Sequence, residues 1–293
     1  MASSPRILVV ATSHGQMGAT GHPTGLWLGE VTHFYEPVAQ AGYEIDVVSP
    51  RGGKPPVDPN SVSSPDPINA AFTADPALAA KLEHTLTPEE VDPDQYVAIY
   101  YAGGHGAMWD LVDDSRIAEI AARMHADGKP VSAVCHGSAA LLNIPGENGE
   151  RLIAGRQVTG FANAEEEAIG LTEVVPFLLE DELRARGAEY TKARVPFVSH
   201  VVSSGRIVSG QNPQSSRDVG TAYPDEDLFA ILKRFATKDV GNLPVVTRDQ
   251  PDRPIGLITR SGLWSALETA KQQTTKKPEF ETPPAGGTSS ASP

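Results

Sequence analysis

Apolar residues along this chain fall into short runs separated by turn-rich stretches, and the runs alternate between strand and helix periods. Ile7 to Ala11 is an unbroken apolar run opening into Thr12-Ser13-His14-Gly15, the pattern of a buried strand that ends in a polar loop. Gly25 to Ala41 places Leu26, Leu28, Val31, Phe34, Tyr35 and Val38 at helical spacing before Gly42, and Glu44 to Ser49 reads as a second strand. This β-α-β order predicts an α/β fold around a parallel sheet. Residues 51–95 are rich in Pro, Asp, Ser and Gly and predict a surface excursion with one short helix around Pro76 to Leu86. Regularity resumes with a strand at Tyr96 to Tyr101, the turn Ala102-Gly103-Gly104-His105-Gly106, a helix at Ser115 to Ala126 and a strand at Val131 to Cys135. A strand at Gln157 to Gly160, a helix at Leu178 to Arg186, a Gly-turned hairpin at Val201 to Ser209 and a helix starting at Gln211 follow.

The texture changes near Asp225. A helix at Asp225 to Phe235, strands starting at Leu243 and Ile255, and a helix at Ser261 to Ala270 predict a small α+β appendage. Beyond Gln272 there is no periodicity, and disorder is expected. The reading divides the chain into a catalytic domain over 1–222, an appendage over 223–271 and a tail over 272–293.

Charge and composition remove several function classes. With a net charge of −13 the 293-residue chain lacks the basic surface that nucleic acid or an anionic membrane requires. The N-terminus has no basic leader and no long apolar run, so a cytoplasmic protein is expected. One cysteine excludes an intrachain disulfide and argues against a structural zinc centre; no metal or cofactor is expected.

That cysteine, Cys135, sits where an apolar strand breaks into the small-residue turn Cys135-His136-Gly137-Ser138 and a following helix. Such an elbow lifts a nucleophile out of a sheet, and the helix N-terminus helps to lower a thiol pKa. His136 is its sequence neighbour, so contact between the two side chains has to be arranged by the backbone. The main-chain N–H groups of His136 and Gly104 suit an oxyanion hole, and glycine at 103 and 104 permits close approach of a ligand. Glu30 is either a solvated carboxylate near a helix start or, among Leu28, Val31 and aromatic residues, a buried carboxyl that titrates high and donates to a thiolate. Glu166 lies in the acidic run Glu165-Glu166-Glu167, a pattern that by itself describes a wet surface. His105 follows the Gly-Gly turn and is read as either a pocket residue or a solvated one.

Ala102-Gly-Gly-His-Gly-Ala-Met-Trp-Asp110, Ala133-Val-Cys-His-Gly137 and Glu30 within Thr24-Gly-Leu-Trp-Leu-Gly-Glu together resemble the ThiJ/PfpI superfamily over residues 6 to about 222. With Thr159-Gly-Phe and Glu166, the chain looks most like the glutathione-independent glyoxalase III branch, whose members include heat-shock holding chaperones. The resemblance implies a flavodoxin-like three-layer sandwich and a homodimer. It also implies a triad of Cys135, His136 and Glu166, with Glu30 hydrogen-bonded to the sulfur. The implied activity is that of a lyase converting methylglyoxal or a related 2-oxoaldehyde to a D-lactate-type 2-hydroxy acid. A holding chaperone or an oxidative-stress sensor using Cys135 is the alternative. Amidotransfer is disfavoured, because the one later histidine, His200, is followed by Val-Val and not by the expected glutamate. Residues 225–270 resemble a single cystathionine-beta-synthase (CBS) motif, implying an adenosine nucleotide near Thr259 and Ser261. Gly262 stands where that motif carries an acidic residue, which weakens the nucleotide assignment.

Overall fold

A computed structural model describes residues 4–146, 149–218, 242–246 and 254–259. The expected helices at 225–235 and 261–270, the tail and the side chains proposed to hold a nucleotide lie outside the described residues.

The first β-α-β unit comprises β1 (Arg6–Val10), α1 (Leu28–Gln40) and β2 (Glu44–Val48). Helix α1 begins at Leu28 and not at Gly25 because the preceding residues are held extended: Leu26 N–H donates to Pro56 O, Asp58 N–H to Leu26 O, and Trp27 N–H to Gly103 O. The excursion over 51–95 carries two helices, α2 (Pro67–Ala74) and α3 (Pro76–Glu83), where one was expected. The missed signal is the repeated Asp-Pro step. Proline suits the first helical position, and the Asp66 carboxylate accepts from Ile68 and Asn69 N–H, as Asp75 does from Ala77 and Leu78.

Next come β3 (Tyr96–Tyr101), the short helix α4 (Ala107–Asp110), α5 (Ser115–Ala126) and β4 (Val131–Val134). The expected elbow helix, Cys135–Asn143, is wound as a 3-10 helix, with Cys135 to Leu142 all buried. Beyond it lie β5 (Gln157–Val158), α6 (Asn163–Ala168), α7 (Leu179–Ala185), β6 (Glu189–Tyr190) and the hairpin β7 (Val201–Ser204) and β8 (Ile207–Gly210). Of the run after Gln211, the described residues, to 218, form a 3-10 turn at Pro213–Ser215. Strands β9 (Asn242–Val246) and β10 (Pro254–Thr259) make a separate antiparallel pair, and β5 with β6 a separate parallel one.

The main sheet has the order β2-β1-β3-β4-β8-β7, parallel throughout except for the antiparallel edge pair β7/β8. Its first five strands follow the flavodoxin-like pattern. Leu8, Val9, Val10, Ile99 and Tyr100 are fully buried, as expected of strands covered by helices on both faces. In such sheets ligands bind beyond the carboxyl ends of the strands, where the loops after β1, β3 and β4 converge. No helix among the described residues is long and apolar enough to cross a membrane.

Candidate active site

Cys135 begins where β4 ends, and its backbone has φ 54°, the left-handed region that a β-carbon disfavours. Strain of this kind is retained where it positions a side chain. Here it resolves the difficulty of adjacent residues: Cys135 Sγ lies 3.4 Å from His136 Nδ1. The imidazole's other nitrogen, Nε2, is 2.8 Å from Glu166 Oε2. All three residues are buried, so Glu166 is not the solvated member of an acidic run. It lies in the first turn of α6, whose short helix turns Glu165 and Glu166 inward.

Glu165, its neighbour, has different work. Its carboxylate accepts from the N–H groups of Ala162 and Phe197 and from Asn212 Nδ2, at 2.7–2.9 Å. These bonds tie α6 to the loop after β6 and to the turn after β8. Glu165→Ala strands these donors, and a loss of about 3 kcal/mol in unfolding free energy is expected by denaturant titration, since leaving a buried donor without its partner costs about 1–3 kcal/mol.

His105 completes a feature that sequence spacing did not reveal. Its Nε2 is 3.0 Å from Glu166 Oε1, so one carboxylate bridges two imidazoles whose rings are 4.0 Å apart. Burial pushes the Glu166 pKa up, but the hydrogen bonds from His105 and His136 outweigh it and hold the carboxyl at about 2. As an ionised acceptor, Glu166 fixes the protons of both histidines on Nε2 and leaves Nδ1 of His136 as a base facing the sulfur. Burial, reinforced by His105, lowers the His136 pKa to about 4, so this imidazole is neutral at physiological pH. His105, His136 and Glu166 also present one donor atom each within 4.8 Å of one another, a geometry able to hold a metal ion.

Glu30 is fully buried, which rules out the solvated reading of this residue. Its Oε2 accepts from Gly103 N–H at 2.6 Å, while Oε1 is buried and makes no hydrogen bond. Burial raises its pKa to about 8, against the lowering effects of the Gly103 bond and the Cys135 thiol. Gly103 was expected to line the ligand pocket. It does not: its N–H is committed to Glu30, and a β-carbon there would meet Glu30 Oε2 at 2.8 Å and His136 N at 2.9 Å. Gly104, with φ 98°, does line the pocket.

The sulfur's electrostatics also differ from expectation. Burial first, and then a charged Glu30, push the thiol pKa up, with the His136 N–H acting in the opposite direction. The elbow does not by itself produce a low pKa. With Glu30 protonated at neutral pH, its repulsion of a thiolate is removed, and its proton is available to the sulfur.

Cys135, His136, Gly104 and His105 open onto one cavity of about 670 Å³, walled by Met17, Trp27, Phe161, Ile169, Leu171 and Phe197. Sequence reasoning identified none of these walls, because they come from four separate connections, β1–α1, β5–α6, α6–α7 and β6–β7. Met108 is core, and Trp109 stacks on His14 at 5.2 Å.

Relatives carry the same architecture. The chain is 30% identical to a protein named glyoxalase 3 from Candida albicans over 244 residues, 78% of this chain and 98% of that one. It is 29% identical to a glutathione-independent glyoxalase of Saccharomyces cerevisiae over 75% of this chain and 97% of the other. Among solved structures, glyoxalase III from Candida albicans matches with TM-score 0.68 at 29% identity, covering 73% of this chain and 93% of that one. The rapid encystment protein of 24 kDa from Francisella tularensis matches with TM-score 0.71 at 42% identity, covering 73% and 95%. Residues 215–263 match the CBS domain, and residues 28–224 match the DJ-1/PfpI family. With that match covering most of its length and the fold and relatives in agreement, the chain belongs to the DJ-1/PfpI family.

Proposed function

We propose that the protein is a glutathione-independent glyoxalase III-like lyase that converts a 2-oxoaldehyde to a 2-hydroxy acid, with the D configuration when lactate is formed. The observation that carries this reading is the Cys135 sulfur at the base of a cavity, 3.4 Å from a neutral imidazole and coupled to a buried carboxyl.

As the Cys135 sulfur attacks the aldehyde carbon and forms a C–S bond, its S–H bond breaks and that proton passes to Glu30, whose own carboxyl proton goes to the aldehyde oxygen, giving a hemithioacetal and leaving Glu30 protonated as before. Main-chain N–H groups of Gly104 and His136 stabilise the negative charge that develops on that oxygen. His136 Nδ1 then removes the hydrogen on the aldehyde carbon; Glu166 holds the ring in the tautomer this requires. The resulting enediolate is reprotonated at the neighbouring carbon, leaving a thioester. Water cleaves the thioester, the 2-hydroxy acid departs and the sulfur regains its starting state. One carbon is oxidised as its neighbour is reduced, so water is the sole co-reactant.

Purified protein supplied with methylglyoxal and no glutathione is expected to form D-lactate, and Cys135→Ser to form none above background. Equal product from the two proteins would overturn the reading. A homodimer, implied by the family resemblance, belongs to the same proposal and is checked by sedimentation.

A further inference from the structure

The cavity above Cys135 is much larger than the reacting head of a 2-oxoaldehyde, and the surplus is apolar. At about 670 Å³ it falls among sites that enclose drug-sized ligands, whereas methylglyoxal adds only a methyl group to the two reacting carbons. Trp27, Phe161, Ile169, Leu171 and Phe197 supply much of its wall, and among the described residues no lysine or arginine lines it. Asp58, the one carboxylate lining it among the described residues, is already engaged by Thr24 Oγ1 at 2.8 Å and Asn60 N–H at 2.9 Å.

One wall is held in an unfavourable conformation. Phe197 has φ 62°, and its N–H donates to Glu165 Oε1 at 2.7 Å, which anchors the strained turn to the helix carrying Glu166. The Phe197 ring lies 6.2 Å from Phe161, and the Phe161 ring 4.3 Å from His136. An aromatic shelf therefore runs from the proton-transferring imidazole toward the mouth of the cavity. At that mouth Phe197 and Ile169 are 37% and 42% exposed, apolar surface that a ligand's own apolar group would cover.

We propose that the preferred substrates are 2-oxoaldehydes bearing an aryl or extended alkyl group, seated against Phe161, Phe197 and Ile169. This rests on the glyoxalase reading above. The bonds made and broken are the same for every member of the class: RCOCHO and water give RCH(OH)COOH, and the group R is carried through unchanged. What the shelf adds is binding of R, and a lining without lysine or arginine among the described residues disfavours an R that ends in a carboxylate or phosphate.

The test uses methylglyoxal, n-hexylglyoxal and a hexyl analogue ending in a carboxylate, compounds whose reacting carbons are electronically alike. Wild-type kcat/KM is expected to be at least about tenfold higher for the hexyl substrate than for methylglyoxal, mainly through KM, and lowest for the carboxylate. Phe197→Ala and Ile169→Asp, each checked by circular dichroism and melting, are expected to narrow the hexyl-to-methyl ratio to within about threefold. A wild-type ratio of one or below, or a ratio unmoved in both folded variants, overturns the shelf while methylglyoxal turnover keeps the enzymatic reading standing. Failure to turn over any of the three aldehydes overturns both.

Discussion

Replacing Glu166 by alanine is expected to lower kcat/KM by about 10⁴-fold, the size of effect seen when the carboxylate that orients a catalytic histidine is removed. The reason is geometric. Glu166 accepts from His136 Nε2 at 2.8 Å and thereby leaves Nδ1 free beside the sulfur; without it, the ring loses both its orientation and its tautomer. Glu166→Gln is expected to do nearly as badly, because an amide offers one acceptor oxygen and cannot serve both His136 and His105. Steady-state kinetics check this, and a loss below tenfold would mean that another group orients His136.

The same cluster makes the fold sensitive to acid. Glu166 has its folded pKa depressed from 4.5 to about 2, so the stability it contributes is present above 4.5 and lost as pH falls through about 2. His136, buried in its neutral form, is depressed from 6.5 to about 4, so its contribution is complete above 6.5 and lost as pH falls through about 4. Unfolding free energy from urea titrations is expected to decline between pH 6.5 and 4 in wild type, and that part of the decline to disappear in His136→Phe. An unchanged pH dependence in the variant would remove His136 as its source.

Glu30→Gln is expected to reduce turnover by about 10³-fold while making the protein more stable in alkaline solution. Glutamine still fits the site and still accepts from Gly103, but it cannot give a proton to the hemithioacetal oxygen. The stability effect follows from linkage. Glu30 has a folded pKa raised from 4.5 to about 8, so wild type loses stability as pH climbs from the first value through the second, and glutamine does not. The 3.5-unit difference sets an upper bound of about 5 kcal/mol, reached only above pH 8. Urea titrations at pH 5, 7 and 9 check it: a gap between variant and wild type that stays flat over this range would contradict the buried, protonated carboxyl. Wild-type activity is also expected to fall as pH passes about 8, where Glu30 ionises, no longer has a proton to give and disfavours negative charge on the sulfur.

Particular residues show how much of this was legible beforehand. Cys135 stood out because a strand ending in small residues has few outcomes, and Gly104 and His105 followed from the turn after the next strand in the sheet. Glu165 and Glu166 look alike as neighbouring carboxylates in an acidic run, and only the family resemblance singled out Glu166; a single short helix sends the first to the backbone of Phe197 and the second to two imidazoles. Gly103 was identified as important for the wrong reason: close approach was anticipated, but what approaches is Glu30 and not a ligand. The aromatic shelf was invisible, because Phe161 and Phe197 lie on loops without periodicity.

The amino-acid sequence by itself determined the alternation of strands and helices, the parallel sheet and the elbow on which the sulfur stands, because strand and helix periods and turn chemistry are local properties that neighbouring residues express together. Only the tertiary structure decided which carboxyl groups are ionised, which histidine nitrogen is free and how large a group the cavity admits. Those depend on desolvation and on partners tens of residues away: Glu30 meets Gly103, Glu166 meets His105, and Phe197 meets Glu165 only once the chain has closed around them.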